Sequence, residues 1–150
     1  MKKLLIILLL FISSSAVIFS QNDDEAWKNQ TYIKEQPLTK EKAYDVVIMW
    51  AAKHFISSNF VIQFKDKEMG KIILQLVGTI EKGFLNIKMD FRYTFTISLK
   101  DKKIKYEFET HGFTDTGRMG NNNEDEITEY YLSVVDLIQN ELTNYKDDGF

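Results

Sequence analysis

Two histidines, His54 and His111, are the only imidazole groups in the sequence, and imidazoles are the usual acid–base and metal-binding groups near neutral pH. His54 falls near the end of a predicted helix, where a positive imidazole would favour the helix dipole. His111 falls at the exit of a predicted strand. Neither has a partner at the i, i+4 spacing of paired metal ligands. The pattern favours ordinary surface or capping histidines.

The tripeptide Asp115-Thr116-Gly117 matches the one that carries the aspartate of aspartic peptidases. That chemistry needs two such aspartates sharing a proton, hence a second copy or a symmetric dimer, in a wholly β lobe. The chain has one copy, in a polar stretch before a predicted helix. Because Asp, Thr and Gly are ordinary loop formers, the tripeptide is predicted to be a turn.

Residues 121–126 read Asn-Asn-Asn-Glu-Asp-Glu, an oxygen-rich run of the kind that calcium prefers. The alternating Asp-x-Asp-x-Asp-Gly spacing of a known calcium loop is absent. The three carboxylates already have a role in the first turn of a helix, where the dipole favours negative charge. The sequence therefore predicts no metal and no cofactor, and it does not decide whether this acidic loop binds calcium.

The sequence does not identify residues for nucleophilic catalysis. The chain lacks cysteine, which excludes disulfides, thiol nucleophiles and thiolate metal sites. Hydroxyls and carboxylates are plentiful, but a hydrolase needs a base beside its nucleophile, and neither histidine can be placed beside a chosen serine. The chain is predicted not to be an enzyme.

The first 20 residues have the layout of a cleavable signal peptide. Two lysines are followed by an unbroken apolar run from Leu4 to Ile12 and then by small residues. Cleavage is predicted between Ser20 and Gln21. A membrane anchor would need about 20 apolar residues, and serines interrupt this shorter run. We expect an exported protein, periplasmic or extracellular, with no stable membrane anchor after cleavage.

Removing the signal changes the formal charge from −3 to −5, because only two lysines are lost. A mildly acidic chain is a poor partner for nucleic acid, which requires a concentrated positive face. Residues 21–36 are predicted to be a polar leader with a possible edge strand at 31–34. Residues 37–150 are of the size of a single domain.

Two helices are predicted from apolar residues that recur every three or four positions. The first begins after the N-cap Thr39 and runs to Phe55. The second begins after Asn123 and runs nearly to the end. The predicted apolar positions are Ala43, Tyr44, Val47, Trp50, Ala51 and Phe55 in the first helix, and Ile127, Tyr131, Val134, Ile138, Leu142 and Tyr145 in the second, widened by Tyr130 and Leu137.

Four segments between the helices alternate apolar and polar residues, which is typical of half-buried strands. Their short connections predict an antiparallel meander, because parallel pairing needs long crossovers. The third segment, Leu85 to Leu99, is long enough to predict a twist or bulge, expected near Gly78 of its neighbour. The 111–123 segment is predicted to be a loop. With two helices on the apolar face, the fold class is an α+β two-layer sandwich of four to five strands, β-α-β4-α.

The other face of this sheet is polar, and it is the predicted binding surface. The alternative interpretation is a solvated face with cross-strand ion pairs, each worth about 0.2–1 kcal/mol. The candidate contact residues are Lys88, Asp90, Arg92, Lys103, Lys105 and Glu107.

Several motifs together resemble a family of exported proteins, mostly of Bacteroidetes, that carry a domain of unknown function with a TATA-binding-protein-like (TBP-like) fold. The capped helix with Trp50 near its centre and the Asn59-Phe-Val-Ile-Gln-Phe run are two of them. The most distinctive is the Lys-Glu-x-Gly-Lys-Ile turn at residues 67–72, and the resemblance covers residues 38–114. It implies the β-α-β4-α order and strengthens the expected edge strand. It implies no activity, and DNA binding does not follow from a fold name.

The leading functional hypothesis is a non-enzymatic binding or accessory module. Its partner would be a protein or glycan in the envelope or outside the cell, bound by the polar sheet face or the 112–123 loop. One alternative is a carrier of a small apolar ligand between sheet and helices, favoured by Trp50, Phe91, Tyr93, Phe95, Tyr131 and Tyr145. Those aromatics equally suit an ordinary core. A hydrolase with an unidentified site is the second alternative.

Overall fold

Five strands and two helices make up the part of the protein that a computed structural model describes, residues 29–55, 61–82, 87–114 and 123–146. In chain order they are β1 (Asn29–Glu35), α1 (Lys40–His54), β2 (Ile62–Asp66), β3 (Lys71–Lys82), β4 (Ile87–Lys100), β5 (Lys103–Phe113) and α2 (Glu124–Asn144). The strands form one antiparallel sheet in the order β1-β5-β4-β3-β2. Both helices contribute buried residues to one core with the sheet. The predicted α+β class and β-α-β4-α order are confirmed.

The edge strand β1 is longer than predicted. It pairs with β5 over all seven of its residues, from Asn29 opposite Glu109 to Glu35 opposite Lys103. Most of the segment 29–36, predicted as the end of a polar leader, is therefore part of the sheet. The predicted signal peptide and the rest of the leader lie outside the described residues.

The link from β1 to α1 is held by Gln36, whose importance the sequence does not show. Gln36 is buried, and its side-chain amide donates to the carbonyls of Leu38 and Lys100 at 2.9 and 3.2 Å. Its Oε1 accepts from the Leu38 N–H at 2.7 Å. A single side chain thus satisfies backbone groups of both the link and the β4–β5 turn.

Two register shifts interrupt the pairing of the described strands. Gly78 itself pairs regularly with Phe91, but one shift lies next to Phe91 on β4, between Arg92 and Tyr93, in the pairing with β5. The irregularity predicted in the long strand is therefore close to the predicted position, on the other side of β4. The other shift lies in β2, where the pairing passes from Ile62 to Phe64 and skips Gln63. Phe64 therefore faces away from the core, opposite Ile73, and is 42% exposed. A regular alternation from Ile62 would place Phe64 on the buried side, and the skipped Gln63 reverses its facing.

The helices begin where predicted. Thr39 is the N-cap of α1, and its hydroxyl accepts from the Lys42 N–H at 3.4 Å. Asn123 is the N-cap residue of α2, with three carboxylates in the first turn. Leu137, predicted to widen the apolar stripe of α2, is 47% exposed, and Val135 is buried instead. Among the described residues, no helix is both long and apolar enough to cross a membrane.

Aromatic rings fill the layer between sheet and helices. Phe108 stacks on Phe95 at 4.3 Å and on Tyr131 at 4.1 Å between ring centroids. The buried Tyr131 and Thr110 hydroxyls share a hydrogen bond of 2.7 Å. Tyr106 accepts from the Gln139 amide at 2.8 Å. Because the phenols are removed from water, burial raises the pKa of Tyr106 and of Tyr131.

Candidate functional site

The face of the sheet opposite the helices, here called the outer face, carries exposed polar side chains from neighbouring strands. Along β4 the buried residues Phe91, Tyr93 and Phe95 alternate with Arg92 and Thr94, which point the other way. The same alternation continues through β3 and β5. The predicted assignment of one apolar and one polar face is therefore correct.

The six predicted contact residues all lie on the outer face, but at two opposite ends of it. One group is Lys88, Asp90 and Arg92 on β4, and the other is Lys103, Lys105 and Glu107 on β5. Lys103 pairs with Lys100, eight residues along β4 from Arg92, which corresponds to roughly 27 Å. The structure does not bring the six residues into one site.

Local partners occupy part of both groups. The Thr79 hydroxyl donates to the Asp90 carboxylate at 2.6 Å. Lys88 lies 3.6 Å from Glu81, and both side chains are well exposed. Lys105 lies 2.6 Å from Glu107. Exposed pairs of this kind contribute little, about 0–1 kcal/mol each, so they leave these side chains available to a ligand.

A cleft of about 310 Å³, here called the central cleft, lies on the outer face and includes Glu107 of the second group. Three threonines, two glutamates, two amide residues and one lysine are among the residues that line it. The register brings these side chains together, because Thr31 lies opposite Glu107, which lies opposite Thr96. Hydroxyls and carboxylates at this density can hydrogen-bond a polyhydroxylated ligand or a polypeptide backbone. The lining residues are Asn29, Gln30, Thr31, Lys71, Thr94, Thr96, Glu107, Phe108 and Glu109.

His111 lies within β5, beside this cleft, and not in a loop as predicted. The pairing of β4 with β5 skips His111, since Arg92 is opposite Gly112 and Tyr93 is opposite Thr110. The imidazole lies on the outer face, where the alternation along β5 places it, and its Nε2 shares a hydrogen bond of 2.6 Å with the Thr94 hydroxyl. Sequence reasoning missed this pair because it ended the strand at His111 and gave no register between β4 and β5.

A hydroxyl beside an imidazole is the first element of a nucleophile–base pair. The pair is incomplete as catalytic machinery, because no described carboxylate holds the other imidazole nitrogen of His111. His111 is also exposed on an open face, where water is not excluded. The geometry supports hydrogen bonding to a ligand.

His54 has a structural role at the end of α1. Its Nδ1 lies 2.9 Å from the Trp50 carbonyl oxygen, and its ring lies 5.2 Å from the Trp50 ring. The imidazole thus serves one of the last carbonyls of the helix. The predicted capping role is confirmed.

A second groove, of about 240 Å³, occupies the end of the outer face beside the β4–β5 turn and is here called the lysine groove. Three lysines line it, and the exposed side chains of Ile33 and Met69 stand at its rims. The residues are Ile33, Met69, Ser98, Leu99, Lys100, Lys103, Ile104 and Lys105. The sequence pattern missed it because Met69 and Ile33 come from distant parts of the chain.

Metal binding has no support within the described residues, where no three His, Asp or Glu side chains form a group that could hold an ion. The Asp115-Thr116-Gly117 tripeptide lies outside the described residues, as do Asn121 and Asn122. Glu124, Asp125 and Glu126 occupy the first turn of α2. Most of the 112–123 loop, predicted as an alternative contact surface, also lies outside the described part of the chain.

Comparison with solved structures shows the same fold in two proteins of related bacteria. A TBP-like protein from Parabacteroides distasonis ATCC 8503 superposes with a TM-score of 0.60 at 12% identity, over 79% of this chain and 94% of that one. A DUF4468 family protein from Bacteroides ovatus ATCC 8483 superposes with a TM-score of 0.50 at 12% identity, over 80% and 88%. The superpositions show a shared fold. Identities of 12% give no evidence of a shared activity.

No curated protein gave a significant match to the sequence. Residues 30–114 match the domain of unknown function DUF4468, described as having a TBP-like fold. That segment contains α1 and all five strands except the first residue of β1, and it covers more than half of the chain. The protein is therefore a member of the DUF4468 family of domains of unknown function with a TBP-like fold.

Proposed function

We propose that the mature chain is an exported, non-enzymatic binding or accessory module whose outer face contacts a protein or glycan in the envelope or outside the cell. The observation that carries the proposal is the central cleft of about 310 Å³ on a face that neither helix covers. Concave surfaces with a few convergent polar groups are the usual places for ligands.

The chemistry of the cleft supports a polar partner. Thr31, Thr94 and Thr96 offer hydroxyls that can donate and accept, and Glu109 is an exposed acceptor. A partner that presents many hydroxyls or backbone amides would satisfy these groups. The proposal favours such a partner over an apolar carrier ligand, because the core aromatics already stack on one another at 4.1–4.3 Å.

The test uses site-specific photocrosslinking in the native host. A benzophenone amino acid replaces Thr96 in the central cleft, and in a matched control it replaces Asp136, which is exposed on α2. We expect a discrete adduct, protein or glycan, from position 96 and none from position 136. Adducts at position 136 alone, or at neither position in protein that is exported and folded, would contradict the proposal.

The hydrolase alternative rests on the single pair of Thr94 and His111. If the pair were catalytic, Thr94→Val would abolish turnover of any substrate found by the crosslink. If the pair only binds the ligand, Thr94→Val weakens binding, and neither the unaltered protein nor the variant forms product. Product formation by the unaltered protein would overturn the non-enzymatic assignment.

A further inference from the structure

The rims of the lysine groove carry two of the most exposed large apolar side chains among the described residues. Ile33 is 67% exposed and Met69 is 65% exposed. Single exposed apolar side chains are normal on a protein surface. These two differ because they flank the same concave surface, one from β1 and one from the turn before β3. A partner entering the groove would remove both from water.

The groove is lined by apolar side chains together with three lysines. Lys100, Lys103 and Lys105 line it, and the described residues give neither Lys100 nor Lys103 an ion-pair partner within 4 Å. Several nearby carboxylates already have partners: Glu107 pairs with Lys105 at 2.6 Å, Asp101 accepts from the Lys40 N–H at 2.9 Å, and Asp66 accepts from the Met69 N–H at 2.8 Å. Glu35 lies opposite Lys103 in the register. Lys100 and Lys103 therefore present positive charge at the groove in a chain whose formal charge is −3. The local field therefore favours an anionic partner.

The dimensions of the groove favour a segment of a macromolecule over a small ligand. A small-ligand site usually buries about 70–90% of its ligand, and this groove of about 240 Å³ lies open on the sheet surface. From Ile33 through Lys105 and Ser98 to Lys71 the register crosses four strands, which is about 14 Å at the usual strand spacing. That width matches about four extended residues of a peptide.

We propose that the lysine groove docks an extended acidic segment of a partner protein, with one apolar side chain between carboxylates. The apolar side chain contacts Ile33 and Met69, and the carboxylates pair with Lys100 and Lys103. The inference deepens the proposed function and rests on it, because it assigns a partner chemistry to one end of the same outer face.

The test is an amide chemical-shift titration of the mature chain, residues 21–150, with three blocked heptapeptides. One has a central leucine flanked on each side by three acidic residues, the second replaces the leucine by serine, and the third replaces every acidic residue by lysine. The leucine peptide is expected to shift the amides of Ile33, Ser98 and Lys103. We expect it to bind about tenfold more tightly than the serine peptide, a difference of about 1.4 kcal/mol. The lysine peptide is expected not to bind, and added salt should weaken the acidic peptides.

Charge-reversal variants separate the groove from general electrostatics. The double variant Lys100→Glu with Lys103→Glu is expected to lose binding of the leucine peptide by more than about tenfold. The matched control Lys65→Glu changes an exposed lysine on β2 and should leave the affinity unchanged. The double variant Lys100→Gln with Lys103→Gln is expected to show an intermediate loss of affinity for the leucine peptide. A native circular dichroism spectrum is used to show that each variant is folded.

Three results would overturn the proposal. They are equal binding of the lysine peptide, shifts that avoid the groove, and co-sedimentation with phosphatidylglycerol vesicles in the absence of peptide binding. The last would assign the groove to a membrane surface. The crosslink from position 96 is independent of the groove, so its success alongside a failed titration would reject the lysine groove and retain the proposed function.

Discussion

Replacement of Gly70 by alanine is predicted to be among the most damaging single methyl additions in the sheet. Gly70 has a φ of +64°, and its carbonyl accepts from the Leu99 N–H at 2.7 Å. A Cβ at this position would lie 2.5 Å from the Leu99 carbonyl oxygen and 3.1 Å from Lys40 Cδ. The lysine side chain can move aside. The Leu99 carbonyl belongs to the backbone of β4 and cannot move without disturbing the turn.

Two costs add in this variant. The left-handed conformation costs an L-residue roughly 1–2 kcal/mol. Relieving the contact with Leu99 costs about 1–3 kcal/mol, as for other overpacked sites. The expected loss in the free energy of unfolding is therefore about 2–5 kcal/mol, a large part of the roughly 5–15 kcal/mol that stabilises a typical domain.

Urea denaturation of residues 21–150, followed by circular dichroism, measures this loss. Gly70→Asn is the control that separates the two costs at one site, because asparagine tolerates the left-handed region yet carries a Cβ. It should be destabilised mainly by the collision. If Gly70→Asn were as stable as the unaltered chain, the collision with Leu99 would be refuted.

Two further predictions concern buried polar groups. Burial raises the pKa of three phenols in the native state, those of Tyr93, Tyr106 and Tyr131. The unfolded chain loses these protons near pH 10, while the native chain keeps them. The stabilisation from the three phenols is therefore fully present below about pH 10. Above that pH the free energy of unfolding falls by about 4 kcal/mol per pH unit for the three together. Absorbance at 295 nm should rise together with loss of the circular dichroism signal, and ionisation of all tyrosines in a folded chain would contradict this. Gln36→Ala should lower the free energy of unfolding by about 1–3 kcal/mol, because it leaves buried backbone groups of the β1–α1 link without partners. Urea denaturation measures this loss. An unchanged midpoint would contradict the prediction and would show that water replaces the amide.

The fold could be predicted from sequence because burial acts through regular periods. Apolar residues recur every 2 positions in strands and every 3.6 positions in helices, so the period distinguishes the two. Short connections between strands allow only antiparallel pairing. Thr39 as the N-cap of α1 was predictable for a local reason, since its hydroxyl serves the Lys42 N–H three residues later. These features depend on residues close in sequence.

The errors have the opposite origin. The bulges at Gln63 and His111 shift the alternation by one residue. Gly112, with a φ of +139°, is a local sign of the second bulge, but it does not give the register with the neighbouring strand. Gln36 bonds the carbonyl of Lys100, 64 residues away. Gly78 is needed because the Phe91 ring from the next strand lies over it, 2.6 Å from where a Cβ would stand. Each depends on a contact that exists only after the sheet has formed.

The sequence predicted which face of the sheet carries the candidate site, but it did not predict which residues come together there. The alternation correctly placed Lys103, Lys105 and Glu107 on the outer face, but it gave no information about which positions of different strands become neighbours. The central cleft arises from cross-strand register, in which Thr31, Glu107 and Thr96 form one row. Threonines on a strand are also common for β propensity alone, so no single one signals a site.

The two faces of the sheet differ in what the fold requires of them, and that difference is evidence about function. Every inward residue must be apolar or internally satisfied, because it is removed from water. The outer face needs only to be soluble, and lysine, glutamate or threonine would serve at any position. Ile33 and Met69 contribute little to the core, being 67% and 65% exposed. The acidic segment proposed for the lysine groove would cover both side chains, so this groove provides a sharper test of the proposed function than the more polar central cleft.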